Sequence, residues 1–476
     1  MFISQSFKWT LIPIIFSTLL SHVLADTPQT FYCNTTSQCP EEYPCCSQYG
    51  QCGTGAYCLG GCDIRYSFNL SSCMPMPRMD SFSYDFTDIN NVELQTDYLG
   101  NASEADFVYS GWVAGHNNAL LLQMPNETTG TVVSSTKYLW FGKVGATLKT
   151  SHDAGVITAF ILFSDIQDEI DFEFLGYNLT APQTNFYYEG ILNYTNARNS
   201  STTNTFEYYH TYEIDWTIDS LSWYIDGQKV RTLNKNDTYN ETTKVYNYPQ
   251  TPSRIQFSLW PGGDSLNGLG TIEWAGGAIN WDSQDIQQYG YYYAYVQNIT
   301  VEAYDLPPNV PLQGSKNASD LQAYLYNSTA GGQGSVYLTN KQTWLGASNA
   351  TGFDPQNNKP VNQKNTTSTI VTTSGSKVIT KTTIHTTNNA QETVNGPPAI
   401  EAGTTNGGDN QAQATTTYNT NGGIGGFVQN SQETATDSKS SGSSGSGSSS
   451  ASGIRAVGSI VALVGAMAIG FVSFFM

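Results

Sequence analysis

Between about residue 80 and residue 305 the apolar positions recur with a period of two, the spacing of strands that bury one face, rather than the 3.6 of a helix. The clearest stretch is Tyr212-Glu213-Ile214-Asp215-Trp216-Thr217, a turn at Asp219-Ser220, then Leu221-Ser222-Trp223-Tyr224-Ile225, then Asp226-Gly227 and a further strand into Val230. Asp-Gly between alternating segments predicts a tight hairpin, because the turn that matches strand twist needs positive φ. Similar runs predict strands over Val156–Phe163, Asn185–Leu192, Arg254–Trp260 and Tyr291–Val301. Many strands with no helical pattern between them point to an all-β fold, an antiparallel β-sandwich.

One run breaks the usual exchange of apolar and neutral positions. In Asp168–Leu175 alternation puts Glu169, Asp171 and Glu173 on one face and Ile170, Phe172 and Phe174 on the other. No Lys or Arg stands between Lys149 and Arg198 to relieve the three carboxylates locally. Such a face costs stability unless it has a use. One use is double-displacement glycoside chemistry, which needs a carboxylate nucleophile and a protonated carboxyl about 5–5.5 Å apart. The Cα atoms of Glu169 and Glu173 are roughly 13 Å apart on a strand, so their side chains must lean together over Asp171. Asp171 would then raise the pKa of the acid and orient the nucleophile. A solvated sheet face and a Ca²⁺ site fit the same spacing.

On the predicted strand Arg254–Trp260, Gln256, Ser258 and Trp260 share a face. An indole beside an amide suits a sugar, covering the apolar ring face while the amide satisfies hydroxyls. Thr271 and Trp274 follow the Gly-rich loop Gly262–Gly270, close enough to fold back over that face.

The flanks differ in composition. All eight cysteines lie between Cys33 and Cys73, so residues 26–78 are expected to be a small module held by four bridges. Residues 306–450 are expected to be a stalk, rich in Thr, Ser, Asn and Gly beyond about 345 and too poor in apolar residues to fold. Residues 1–25 read as a signal peptide, with Lys8, the apolar run Leu11–Leu20 and Val23-Leu24-Ala25 at the cleavage point. Residues 451–476 end in the apolar run Ala456–Met476 after the tract Ser440–Ser452, the pattern of a GPI-anchor signal attached around Ser444–Gly447. The net charge is −19, which repels phosphate backbones and disfavours nucleic acid as a partner. With 12% charged against 13% aromatic residues, the surface suits neutral sugar rings better than ionic ligands. No cofactor or metal is expected.

The acidic run Asp168-Glu169-Ile170-Asp171-Phe172-Glu173-Phe174-Leu175-Gly176 resembles the Glu-X-Asp-X-Glu signature of glycoside hydrolase family 16, in the form of the fungal Crh cell-wall transglycosylases. Tyr209–Trp216, Trp223–Gly227, Phe257–Gly263 and Gly270–Gly277 match in the expected order across about 80–285. The resemblance implies a β-jelly roll over 79–305, with Glu169 as nucleophile, Glu173 as acid/base and Asp171 assisting. It also implies that Glu173, Gln256, Trp260, Thr271 and Trp274 bind glycan. The cysteine spacing, with Cys45-Cys46-Ser47-Gln48-Tyr49-Gly50-Gln51-Cys52-Gly53 at its centre, resembles a hevein-type chitin-binding module. That resemblance implies bridges Cys33–Cys46, Cys39–Cys52, Cys45–Cys58 and Cys62–Cys73, with Ser47, Tyr49 and Tyr57 as sugar contacts. Gln51 stands where that pattern has an aromatic. The activity implied is cleavage of chitin and transfer to β-glucan by a secreted, anchored monomer. A β-glucan hydrolase and a non-catalytic wall adhesin are the alternatives.

Overall fold

The computed structural model describes residues 30–357 except Leu192, and the backbone strands Gln363–Ser374 and Lys377–Asn388, which pair as an antiparallel hairpin. The expected signal peptide, anchor signal and most of the expected stalk lie outside the described residues. Among the described residues no helix is long and apolar enough to cross a membrane.

Two eight-stranded sheets form the body. In the first, the strands Arg198–Asn199, Gln183–Tyr187, Glu169–Leu175, Val156–Ser164, Ser253–Pro261, Thr131–Ser135, Phe107–Ser110 and Val92–Leu94 lie side by side in that order. The second is centred on Gly142–Lys149, flanked by His210–Trp216 and Tyr291–Ala303. The predicted hairpin joins Ser220–Ile225 to Gln228–Asn234, with Asp226 and Gly227 at φ of 50° and 75°.

Even-numbered residues of the acidic strand point between the sheets. Ile170, Phe172 and Phe174 join Phe160, Phe257 and Leu259 against Tyr212, Ile214 and Trp223 of the second sheet. Phe160 stacks with Phe172 and Phe257 at 6.3 and 5.3 Å between centroids, and Tyr212 packs edge-on to Phe172 at 5.2 Å. The indole of Trp223 crosses this core to donate to the Asp171 carbonyl at 3.0 Å, which fixes the middle of the acidic strand.

Three expectations need correction. The strand placed at Asn185–Leu192 runs over Gln183–Tyr187 instead, because Glu189 and Gly190 take positive φ and turn the chain. A short helix, Leu269–Trp274, stands where the Gly-rich loop was expected to end, and a second covers Gln284–Tyr289. Six residues are too few for a helical period to show in the sequence. The stalk does not begin at 306. The strands Leu312–Gln313, Val336–Thr339 and Ala323–Tyr326 form a sheet with Met76–Pro77, and Leu321, Tyr324, Val336, Leu338 and Leu345 are buried. Short alternating pieces such as Ala323-Tyr324-Leu325-Tyr326 carry enough apolar area to dock on an existing core, although the segment's average composition is polar. The cysteine module docks on the sandwich. Gly61 N–H donates to Asp165 at 2.9 Å and to the Tyr138 hydroxyl at 3.1 Å, and Arg65 donates to the Glu189 carbonyl at 3.0 Å.

Candidate active site

The first sheet has a face turned away from the core, where the odd-numbered residues of the acidic strand stand. Pairing register sets the neighbours. Glu169 lies between Tyr187 and Phe163, Asp171 between Asn185 and Ile161, and Glu173 between Gln183 and Ala159. One strand further, Arg254, Gln256 and Ser258 complete these three rows, and Trp260 lies beside Ile157. The strand therefore folds as its pattern predicts, apolar side inward and carboxylates outward.

The solvated-face alternative does not hold, since all three carboxylates are buried, Asp171 completely. If all three were ionised, Glu169 Oε1, both Asp171 oxygens and Glu173 Oε1 would be buried with no donor, an arrangement that costs several kcal/mol per group. Protonation resolves it. Burial and then the charge of Glu173 push Glu169 up to about 8. Burial, then the Glu169 charge, hold Asp171 well above the usual carboxylate range. Burial, then Asp171, do the same for Glu173. A hydrogen bond between Asp171 and Glu169 acts oppositely on its two ends, raising Asp171 and lowering Glu169. A proton on Asp171 favours ionisation of Glu169, and burial holds all three carboxyls toward the protonated form. Two roles, one anionic and one acidic, are available on a single strand.

Asp168 belongs to the frame of the site. Its carboxylate accepts from the backbone of Glu189, Gln250 and Thr251 and from the Thr251 hydroxyl at 2.6–3.0 Å, and burial raises it to about 6. It ties the start of the acidic strand to two neighbouring loops.

The aromatic residues converge beside Glu173. Trp260 and Trp274 stack at 6.0 Å and 24°, and the Trp274 indole donates to Gln183 Oε1 at 2.9 Å, which carries it across the Glu173 row. Thr271 is buried on the same short helix, one turn before Trp274. Gln256 lies in the Asp171 row, but its amide nitrogen donates to Gln48 of the cysteine module at 3.0 Å.

The module's eight cysteines form the bridges Cys33–Cys46, Cys39–Cys52, Cys45–Cys58 and Cys62–Cys73. The residues expected to contact sugar are otherwise engaged. Ser47 Oγ accepts from the amides of Tyr49 and Gln51, closing a turn. Tyr49 packs against the cluster that contains Trp260 and Trp274, and Tyr57 donates to Gln51 at 3.3 Å. Sequence reasoning missed Asn185, Tyr187, Gln183, Arg254 and Gln48. The first three became visible only with the pairing register, and the last two only with the docking of the module.

The profile of glycosyl hydrolases family 16 matches residues 101–276, which include the acidic strand and Trp274. Crh-like protein UTR2 of Candida albicans is 58% identical over 453 residues, 94% of this chain and 95% of the relative. Congo red hypersensitive protein 2 of Saccharomyces cerevisiae is 50% identical over 328 residues, 68% of this chain and 69% of the relative. Among solved structures, a Crh5 transglycosylase in complex with NAG aligns at 26% identity with a TM-score of 0.47, over 58% of this chain and 99% of that one. The chain belongs to glycosyl hydrolases family 16, among its Crh-like proteins, and is a glycoside-processing enzyme.

Proposed function

We propose that this protein is a retaining transglycosylase of the fungal cell wall, which cleaves chitin and transfers the glycosyl chain to β-glucan. The observation that carries it is the buried row in which Glu169 and Glu173, both raised by burial, flank Asp171. Glu173 protonates the leaving oxygen as Glu169 attacks the anomeric carbon, breaking the glycosidic bond and forming a glycosyl ester. Glu173, now anionic, takes the proton of an incoming sugar hydroxyl, which attacks the ester and restores both carboxyls. Asp171 donates to Glu169 and lowers its charge cost in the resting site. Transfer requires an acceptor held in place, because water at about 55 M outcompetes it unless effective molarities rise to about 10⁵ M or more.

The sequence of the two ends supports a secreted chain held by a GPI anchor, so that the enzyme and both insoluble substrates meet at the wall. The test is incubation of purified protein with labelled chitin oligomers, with and without β-glucan oligomers, followed by mass analysis. Mixed chains are expected from the natural sequence and none from Glu169→Gln, whose amide cannot form the ester. Shortened chitin without mixed chains gives the hydrolase reading instead, and retention of a tenth of turnover by Glu169→Gln would sink the nucleophile assignment. Treating intact cells with a phosphatidylinositol-specific phospholipase should release the protein, and failure to do so removes the anchor.

A further inference from the structure

The cysteine module reaches the site face through the turn Ser47–Gly50. Gln48 is 6% exposed, and its Oε1 accepts from Arg254 Nη2 at 2.8 Å and Gln256 Nε2 at 3.0 Å, both on the Ser253–Pro261 strand and both buried. Gly61, at φ of 80°, lies so close that a Cβ there would crowd Arg254 and Gln48. Beside them, Tyr49 packs its ring on the Trp260 and Trp274 cluster. Adjacent strands are about 4.8 Å apart, so Gln256, two strands from Asp171 in the same row, stands about 10 Å from the carboxylates. Trp274 covers the Glu173 end of the face. The remaining side is the strand Gln183–Tyr187, beyond which both residues of the edge strand Arg198–Asn199 are exposed and Ile191 is half exposed.

We propose that the module is a fixed wall of the active site rather than a separate chitin anchor, and that Gln48 and Tyr49 end the glycan path on the Gln256 side. A glycan then enters over the Gln183–Tyr187 strand, and only a short stub of sugars fits between the cut bond and the module. Polar donors from Arg254 and Gln256 would otherwise face sugar hydroxyls along an open groove. Here Arg254 Nη2 and Gln256 Nε2 both donate to a glutamine of the bridged module instead. This inference rests on the glycosidase reading above and adds a limit on substrate length to it.

The experiment uses the full chain and a ladder of chitin oligomers labelled at one end, with product lengths read by mass and affinities read by tryptophan fluorescence. In the natural sequence the fragment on one side of the cut should keep the same maximum length as the donor grows. Affinity should stop rising at a fixed oligomer length. Gln48→Gly, and independently Tyr49→Ala, should lengthen that fragment by at least one sugar and move the affinity plateau by as much. Unchanged lengths and plateaus in both variants overturn the proposal, as do natural-sequence fragments that grow with the donor on both sides. If oligomers bind but none is cut, the glycosidase reading fails while the plateau and its shift still decide the wall. If no oligomer binds, both fall.

Discussion

The sandwich buries Phe160, Phe172, Phe257 and Trp223 between its sheets, whereas the cysteine module buries chiefly its own sulfurs, with Cys33, Cys39, Cys46 and Cys52 forming one cluster. Each solves the same problem, ordering a backbone at about 1–2 kcal/mol of entropy per residue. The sandwich has area enough to do so by burial. A module of some fifty residues does not, and covalent closure of short loops takes over. The difference teaches where functional information is stored. Burial fixes the sandwich's strands and therefore the row of carboxylates. The bridges fix the module's own shape, while apolar packing of Leu59 and Met74 with Tyr98 and Val108, together with the polar contacts at the seam, fixes its orientation.

Two variants measured side by side by calorimetry sharpen this contrast, and they carry the largest expected effects. Phe172→Ala empties a fully buried ring site between the sheets and should cost about 3–5 kcal/mol, lowering the transition of the sandwich. Cys39→Ser with Cys52→Ser opens a loop of 13 residues and should cost about 3 kcal/mol, close to the chain-entropy value for a loop of that length. The second loss should appear chiefly in the module. If the double cysteine variant lowers the sandwich transition as far as Phe172→Ala does, the two regions are one cooperative unit and the comparison breaks.

The same contrast explains what the sequence revealed. The acidic strand was legible because a period of two assigns faces without knowledge of partners, and Glu169, Asp171 and Glu173 indeed share the face away from the core. The resemblance to a hevein-type module implied the four pairs that the structure contains. Burial of the carboxylates was not legible, since it depends on which strands and loops lie around them. Asn185 and Tyr187 needed the register of a neighbouring strand. Gln48 could not be found at all, because its partners Arg254 and Gln256 are more than 200 residues away and its role arises only where two regions meet. The folded segment after residue 306 was hidden by averaging, because its few buried residues, such as Tyr324 and Leu338, are diluted by polar neighbours.

The seam itself offers the smallest effect and the most specific one. Asp165 sits there fully buried, accepting from Gly61 N–H and from the Tyr138 hydroxyl at 2.6 Å, with Arg254 and Asp63 as the charged groups nearby. Burial outweighs the favourable charge of Arg254 and the two hydrogen bonds, so its carboxyl rises from 3.8 to about 7. The folded protein therefore holds a proton that the unfolded chain releases. The resulting stabilisation is complete below the ordinary value of 3.8 and is lost as pH rises through about 7. Asp168 and the three site carboxylates, also raised, act with the same sign, so the dependence of the natural sequence alone does not isolate Asp165. Asp165→Asn does, because its amide oxygen still accepts from Gly61 while nothing at that position titrates. Thermal unfolding at about pH 5 and about pH 7.5 should show a smaller difference for Asp165→Asn than for the natural sequence, by a few degrees, the shift that about 1 kcal/mol gives in a domain of this size. Equal differences in the two proteins would mean that Asp165 keeps its ordinary ionisation in the fold, and that Arg254 outweighs burial at the seam.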